Sequence, residues 1–177
     1  MIKFGIELIP ALNYLDIIRY AILAEESGFE YVWVSDHIRH RNAYVCLSSI
    51  ALNTKRIKIG PGVTNPYLVH PIITAQTLLT LCEMAKGRIL CGMGVGDKTS
   101  MKMLDVQQKE PLRTIKEAVD VIRKITIEER INYCGEIFRV YGAGLSFNAG
   151  TFPIFIGNLR QAKTEPSADI VIPIFPI

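Results

Sequence analysis

Residues 58–71 read KIGPGVTNPYLVHP, and the course of the chain through them decides the fold. Ile57 and Ile59 open an apolar strand that runs into Gly60, Pro61 and Gly62. Val63, Thr64, Asn65 and Pro66 follow, and a helix begins near Pro71. Glycine lets a backbone approach a flat ligand closely, and proline fixes the turn after it. A strand ending this way reads as a shaped platform, the floor of a cofactor site.

Outward from it, strands and helices alternate. Residues 2–8 form an apolar strand with Glu7 near its carboxyl end, and Pro10 breaks it. Apolar residues at helical spacing (Leu15, Ile18, Ala21, Ile22, Ala24) predict a helix over 12–27, closed by Gly28. Residues 31–35 are β-branched and aromatic and stop at Asp36-His37. A helix over 43–52 leads to the strand at 57–62, and a helix over 72–85 to a strand at 88–94 that ends in Gly94-Val95-Gly96-Asp97. An amphipathic helix spans 111–128. Residues 132–150 are Gly-rich and aromatic and read as an inserted loop or hairpin. Strands at 152–157 and 169–174 close the chain.

This alternation predicts an α/β fold with parallel pairing through crossover helices. A doubly wound sheet and a (βα)8 TIM barrel, incomplete at its C-terminus with about six strands, both fit. The barrel is favoured because Glu7, Asp36-His37, Thr64-Asn65 and Asp97 each sit at the carboxyl end of a different strand. A doubly wound sheet concentrates such groups at one switch point.

Composition narrows the class. The 177 residues are 49% apolar, and 20 basic residues balance 17 acidic ones for a net charge of +3. That is a single globular domain over 1–177, without the basic excess of a nucleic-acid binder. No apolar run approaches the roughly 18 residues of a membrane span, and no leader pattern opens the chain, so a cytoplasmic protein is expected. Cys46, Cys82, Cys91 and Cys134 are dispersed and read as buried free thiols. They and the three histidines lack metal-ligand spacing, and no metal site is expected.

Two carboxylates are candidate catalytic groups, Glu7 and Asp97. A desolvated carboxylate at a barrel mouth can hold or donate a proton near neutral pH; the alternative for Glu7 is a structural ion pair. Asp97 can instead cap a turn. Asp36 and His37 can orient a heteroaromatic ring edge, the alternative being an N-cap and a solvated imidazole. Gly92-x-Gly94-x-Gly96 fails the dinucleotide fingerprint but suits close backbone approach to an anion or a ring.

Several stretches together carry a family resemblance: FGIELIP, AEESGFEYVWVSDH, IKIGPGVTNPYLVHPIITA, KGRILCGMGVGDK, GEIFRVYGAGLSF and PIFIG. The chain resembles the bacterial-luciferase-like barrel superfamily, and within it the deazaflavin-dependent methylenetetrahydromethanopterin reductases. The resemblance implies coenzyme F420 as the cofactor, with FMN the alternative, and a pterin as the substrate. It implies hydride transfer to the methylene group of methylenetetrahydromethanopterin in the methanogenic one-carbon pathway. It also implies a cofactor site built from Asp36, His37, Gly62, Val63, Thr64, Asn65, Gly94, Gly96 and Gly157. Gly62–Val63 would be a non-proline cis peptide behind the ring, with Thr64 and Asn65 beside it. Glu7 would protonate the substrate nitrogen as the methylene bridge opens.

Members of that family are close to twice this length. The segment after Gly157 lacks their second glycine, and a crossover normally needs about 10–12 residues or more. Six strands do not close an eight-stranded barrel, so association through an open edge is expected. A non-catalytic flavin- or deazaflavin-binding protein and an inactive remnant are the alternative readings.

Overall fold

The computed structural model describes residues 3–157 and 174–176. Strands β1 (Gly5–Leu8), β2 (Tyr31–Val34) and β3 (Lys58–Pro61) pair in parallel, with Glu7, Trp33 and Gly60 in one register row. Strand β4 (Cys91–Met93) continues the wall through bridges from Ile59 to Ile89 and from Thr64 to Met93. Strands β5 (Ile131–Cys134) and β6 (Arg139–Ala143) form an antiparallel hairpin, and β7 (Ile154–Gly157) adds to β4 in parallel. The five parallel strands form the wall of a luciferase-like TIM barrel. Helices α1 (Tyr14–Glu26), α2 (Ala43–Asn53), α3 (Pro71–Met84), α4 (Lys98–Met103) and α5 (Pro111–Ile127) complete the described elements, with β8 (Ile174–Pro176) last.

Strand alternation decides what each face meets. Val32, Val34 and Ile59 are fully buried under the helices, together with Ile17 of α1, Leu47 and Ile50 of α2, and Leu78 of α3. Each such side chain contributes about 1.5–3 kcal/mol by leaving water. The alternate positions face the barrel interior, where Trp33 meets Phe155 edge-on at 5.5 Å and Tyr31 stacks on Trp33. Helix α1 stops at Gly28 (φ 84°), where Gly28 N–H donates to Glu25 and Phe29 N–H to Ala24. That pair of bonds is the Schellman closure glycine makes possible.

The wall is pressed together at two glycines. A Cβ on Gly60 would lie 2.3 Å from the Leu90 carbonyl oxygen, and one on Gly92 would lie 2.2 Å from that of Gly62. Only bare backbone fits between β3 and β4 at this spacing.

Two carboxylates and a guanidinium tie the connections down. Glu25 accepts the N–H groups of Lys55, Arg56 and Ile57, docking the end of α1 to the start of β3. Arg88 donates to the carbonyls of Ala51, Thr54 and Ile57 beyond the last turn of α2. Glu117 of α5 accepts from Glu136, Ile137 and Phe138 and pins the hairpin.

Three expectations are corrected. Gly62–Val63 is trans, as is every described peptide bond. A non-proline cis bond costs about 3–4 kcal/mol, and here the trans path already seats Gly62 N–H on the Val34 carbonyl at 2.7 Å. Cys134 is exposed, on the solvent side of the hairpin, while Cys46, Cys82 and Cys91 are buried. Strand β8 runs antiparallel to β7, not parallel; the expected strand at 169–174 and the segment after Gly157 otherwise lie outside the described residues. No helix of the described residues is long and apolar enough to cross a membrane.

Candidate functional site

The carboxyl ends of β1, β2, β3, β4 and β7 open on one mouth, because parallel strands place all their C-termini on one side. Three polar clusters occupy it.

Glu7 forms the first. Its residue is exposed, the Ser35 hydroxyl donates to Oε1 at 2.6 Å, and a Cβ on Gly62 would stand 3.0 Å from that oxygen. Ser35 thus fixes one carboxylate oxygen, Oε1.

The second cluster is Asp36, Thr64 and Tyr44. Thr64 is fully buried; its N–H donates to the Gly92 carbonyl and its own carbonyl accepts from Gly94, both at 2.9 Å. The Tyr44 hydroxyl donates to Thr64 Oγ1 at 3.0 Å. Burial pushes the Asp36 carboxyl above its usual range, opposed by the Thr64 hydroxyl and by His37. Burial likewise pushes the Tyr44 phenol well up, so it is a neutral donor.

His37, Asp97 and Ser100 make the third. His37 Nδ1 accepts the Arg39 N–H at 3.2 Å, which assigns the proton to Nε2. That nitrogen lies 3.5 Å from Asp97 Oδ2 and 3.2 Å from Ser100 Oγ. Asp97 also caps α4, its Oδ1 accepting the Ser100 N–H at 2.8 Å. Partial burial works against Asp97 ionising, but the hydrogen bonds from Ser100, together with His37, hold its carboxyl below the usual range.

The remaining expected residues bind these clusters into one rim. Asn65 is buried, accepts the Leu68 N–H, and packs against Gly96 (φ 76°). Val63 meets Gly94, and Gly94 faces the Gly157 carbonyl. Glu7 and Asp97 belong to separate clusters, so the two expected catalytic carboxylates do not work as a hydrogen-bonded pair. Thr64 and Asn65 stand behind the surface of the mouth. The N-cap of α2 is Asn42, which frees Asp36 from that alternative role.

Sequence reasoning missed four residues. Ser35 holds Glu7, Tyr44 holds Thr64, and Ser100 joins His37 to Asp97. Gln108 donates to the carbonyls of Val95 and Gly96 and fixes the loop after β4. Only Ser35 had a signal, its place directly before Asp36.

Known proteins are similar to this chain. Over 168 residues the chain is 44% identical to the 5,10-methylenetetrahydromethanopterin reductase of Archaeoglobus fulgidus, covering 95% of this chain and 51% of that protein. The protein of the same name from Methanolobus tindarius is 39% identical over 94% of this chain and 51% of its own. The solved structure of the coenzyme F420 dependent tetrahydromethanopterin reductase from Methanopyrus kandleri superposes with a TM-score of 0.82 at 31% identity. It covers 88% of this chain and 50% of that one. The chain thus spans about half the length of the relatives it matches. The family model for luciferase-like monooxygenases matches residues 4–177, and the chain belongs to that family.

Proposed function

We propose that this chain carries the deazaflavin-binding mouth of an F420-dependent oxidoreductase acting on methylenetetrahydromethanopterin. The observation that carries the reading is the gathering of Glu7, Asp36, His37 and Asp97 at one mouth, in a chain 44% identical to a reductase of that name. The donor set suits such a ligand. A deazaflavin presents a flat apolar face and a polar edge of alternating donors and acceptors. Gly62, Gly94 and Gly96 offer bare backbone, while the Asp36 carboxylate offers an acceptor and the His37 ring a flat edge.

When bound, the reduced deazaflavin supplies the hydride. The protein's part is to position and to move a proton. Asp36 meets the polar edge, and His37, held by the Arg39 N–H and by Asp97, packs its ring beside it. Glu7 exchanges a proton with the substrate nitrogen at Oε2, Oε1 being held by Ser35. Self-association belongs to the proposal, because β1 presents a strand edge among the described residues.

The test is retention of ligand followed by turnover. Purified protein is mixed with F420 or FMN and desalted, and the retained absorbance is read. Oxidation of reduced F420 that depends on methylenetetrahydromethanopterin supports the reading. In Glu7→Gln, F420 binding is retained while turnover falls by about 10²–10⁴, the range of a lost general acid. Full turnover in that variant refutes the proton role. Retained ligand without turnover identifies a binding protein only, and a colourless protein refutes the cofactor assignment. Light scattering of the same preparation checks the oligomeric state.

A further inference from the structure

The loop after β4 has little rigidity of its own. Gly94 and Gly96 bracket Val95, and Gly96 takes φ 76°, so the backbone here rotates freely unless it is held. Yet this loop carries Asp97, which caps α4 and stands 3.5 Å from His37. Its shape is therefore imposed from outside. Gly94 N–H donates to the Thr64 carbonyl at 2.9 Å, and Asn65 packs against Gly96. The carbonyls of Val95 and Gly96 both accept from one group, the Gln108 amide, at 2.6 and 3.1 Å. A primary amide has two N–H hydrogens and can satisfy both carbonyls at once.

Gln108 returns to the loop along a strained path. Asp105 (φ 53°) and Glu110 (φ 47°) lie on either side of it, both left-handed non-glycine residues, a conformation that persists where surroundings impose it. The carbonyl of the next residue, Lys109, accepts two hydroxyls, from Tyr67 at 2.6 Å and from the buried Thr114 at 3.0 Å. Tyr67 belongs to the loop after β3 and Thr114 to α5. Residues 108–109 thus join the loops after β3 and β4 to the helix behind them.

We propose that Gln108 is a positioning residue of the mouth: its amide clasps the Val95 and Gly96 carbonyls, and so fixes Asp97 against His37 and the glycine backbone where a ligand meets it. The ligand rests on the deazaflavin reading, but the clasp itself belongs to the unliganded protein. Gln108 acts through the loop and does not touch the ligand. Tyr67 acts one step further back, by seating Lys109 and with it Gln108.

Two measurements test it, each made on the full chain, Gln108→Met, Tyr67→Phe, their double variant and Gln107→Met. Methionine keeps the length of glutamine without its N–H donors, and the exposed Gln107 serves as the control. The first measurement needs no ligand and follows the Asp97 carboxyl carbon by 13C NMR across pH. Hydrogen bonds from Ser100, together with His37, favour the charged form of Asp97. A loosened loop weakens them, so the titration moves up in Gln108→Met, moves by less in Tyr67→Phe and stays in place in Gln107→Met. The double variant moves no further than Gln108→Met, because Tyr67 then has no clasp to seat. An unmoved Asp97 titration in Gln108→Met, an equal shift in Gln107→Met or additive shifts in the double variant overturn the clasp.

The second measurement is F420 binding, titrated by fluorescence. Gln108→Met weakens Kd by about 5–25-fold, the range to which one to two neutral hydrogen bonds convert, while Gln107→Met leaves it unchanged. Equal affinity in Gln108→Met and the unaltered chain overturns the positioning of the ligand. If the unaltered chain fails to bind F420 while Asp97 responds to Gln108→Met, the cofactor assignment falls and the clasp stands.

Discussion

Adding one methyl group at Gly92 tests how the wall positions the mouth. The added Cβ of Gly92→Ala would lie 2.2 Å from the Gly62 carbonyl oxygen and 2.5 Å from that of Pro61. Both neighbours are backbone, so no side chain can swing aside, and β3 must draw back from β4 by about 1 Å. That opening stretches the bonds from Thr64 N–H to Gly92 and from Gly94 N–H to Thr64 beyond hydrogen-bonding range, both being 2.9 Å at the start. Two backbone bonds at about 1 kcal/mol net each, with a strain of about 1–3 kcal/mol, give a loss of about 3–5 kcal/mol. With a urea m-value of about 2 kcal/mol/M, the midpoint falls by about 1.5–2.5 M. Trp33 is the chain's single tryptophan and sits against Phe155, so its fluorescence reports the transition directly. Leu112→Ala, at a side chain 88% exposed, serves as control and stays within about 0.5 kcal/mol. A Gly92→Ala midpoint matching the control refutes the close approach of β3 and β4.

Three further perturbations address the clusters. Burial opposes charge on Glu117, but three backbone N–H bonds and Arg113 hold its carboxyl below the 4.5 of a free glutamate. Its folded form is thus favoured above about pH 4.5, and that stability is lost as pH falls through the lower folded value. Glu117→Gln should lose about 1–3 kcal/mol at pH 7 and show a flatter acid limb; urea midpoints at pH 7 and 3.5 that fall in parallel with the unaltered chain contradict this. His70 Nδ1 caps α3 by accepting the Ile72 N–H, and burial lowers the imidazole from 6.5. Protonation removes the acceptor, so stability present above pH 6.5 declines as pH falls below it. His70→Asn keeps a cap and should remove that slope, and an identical thermal melting profile from pH 7.5 to 5.5 in both proteins argues against it. Ser35→Ala frees Glu7 Oε1 and, under the proposed activity, should lower kcat about 3–10-fold with F420 affinity unchanged; a change confined to affinity would assign Ser35 to ligand binding.

Which parts of this structure are legible in the sequence follows from the range of the forces involved. Tyr31–Val34 and Lys58–Pro61 announce themselves by β-branched and apolar runs that stop at polar residues, and those polar residues do meet at one mouth. Helix α4 carries no such signal: Lys98–Met103 is six residues long, follows a Gly-rich loop, and owes its start to the Asp97 cap. The supporting residues are invisible for another reason. Ser35 reaches across 28 positions, Tyr44 across 20 and Ser100 across 63, and a serine or tyrosine has no spacing rule at such distances. The trans geometry of Gly62–Val63 was equally out of reach, because sequence does not state whether neighbours impose an isomer.

The wall and the mouth are one device through Thr64. Its backbone is bonded to β4 through Gly92 and Gly94, and its hydroxyl is bonded to Tyr44 of α2. The same residue cannot shift for one purpose without shifting for the other. Moving β3 away from β4 by about 1 Å carries Thr64 Oγ1 with it, and a hydrogen bond of 3.0 Å does not survive such a change. Gly92→Ala, which touches none of the polar side chains, should therefore separate Tyr44 from Thr64; an unmoved Tyr44 ring signal in 13C NMR contradicts this. The bare backbone of Gly60 and Gly92 thus does more than save space in the wall. It sets the separation at which a buried threonine can hold the Tyr44 hydroxyl of α2.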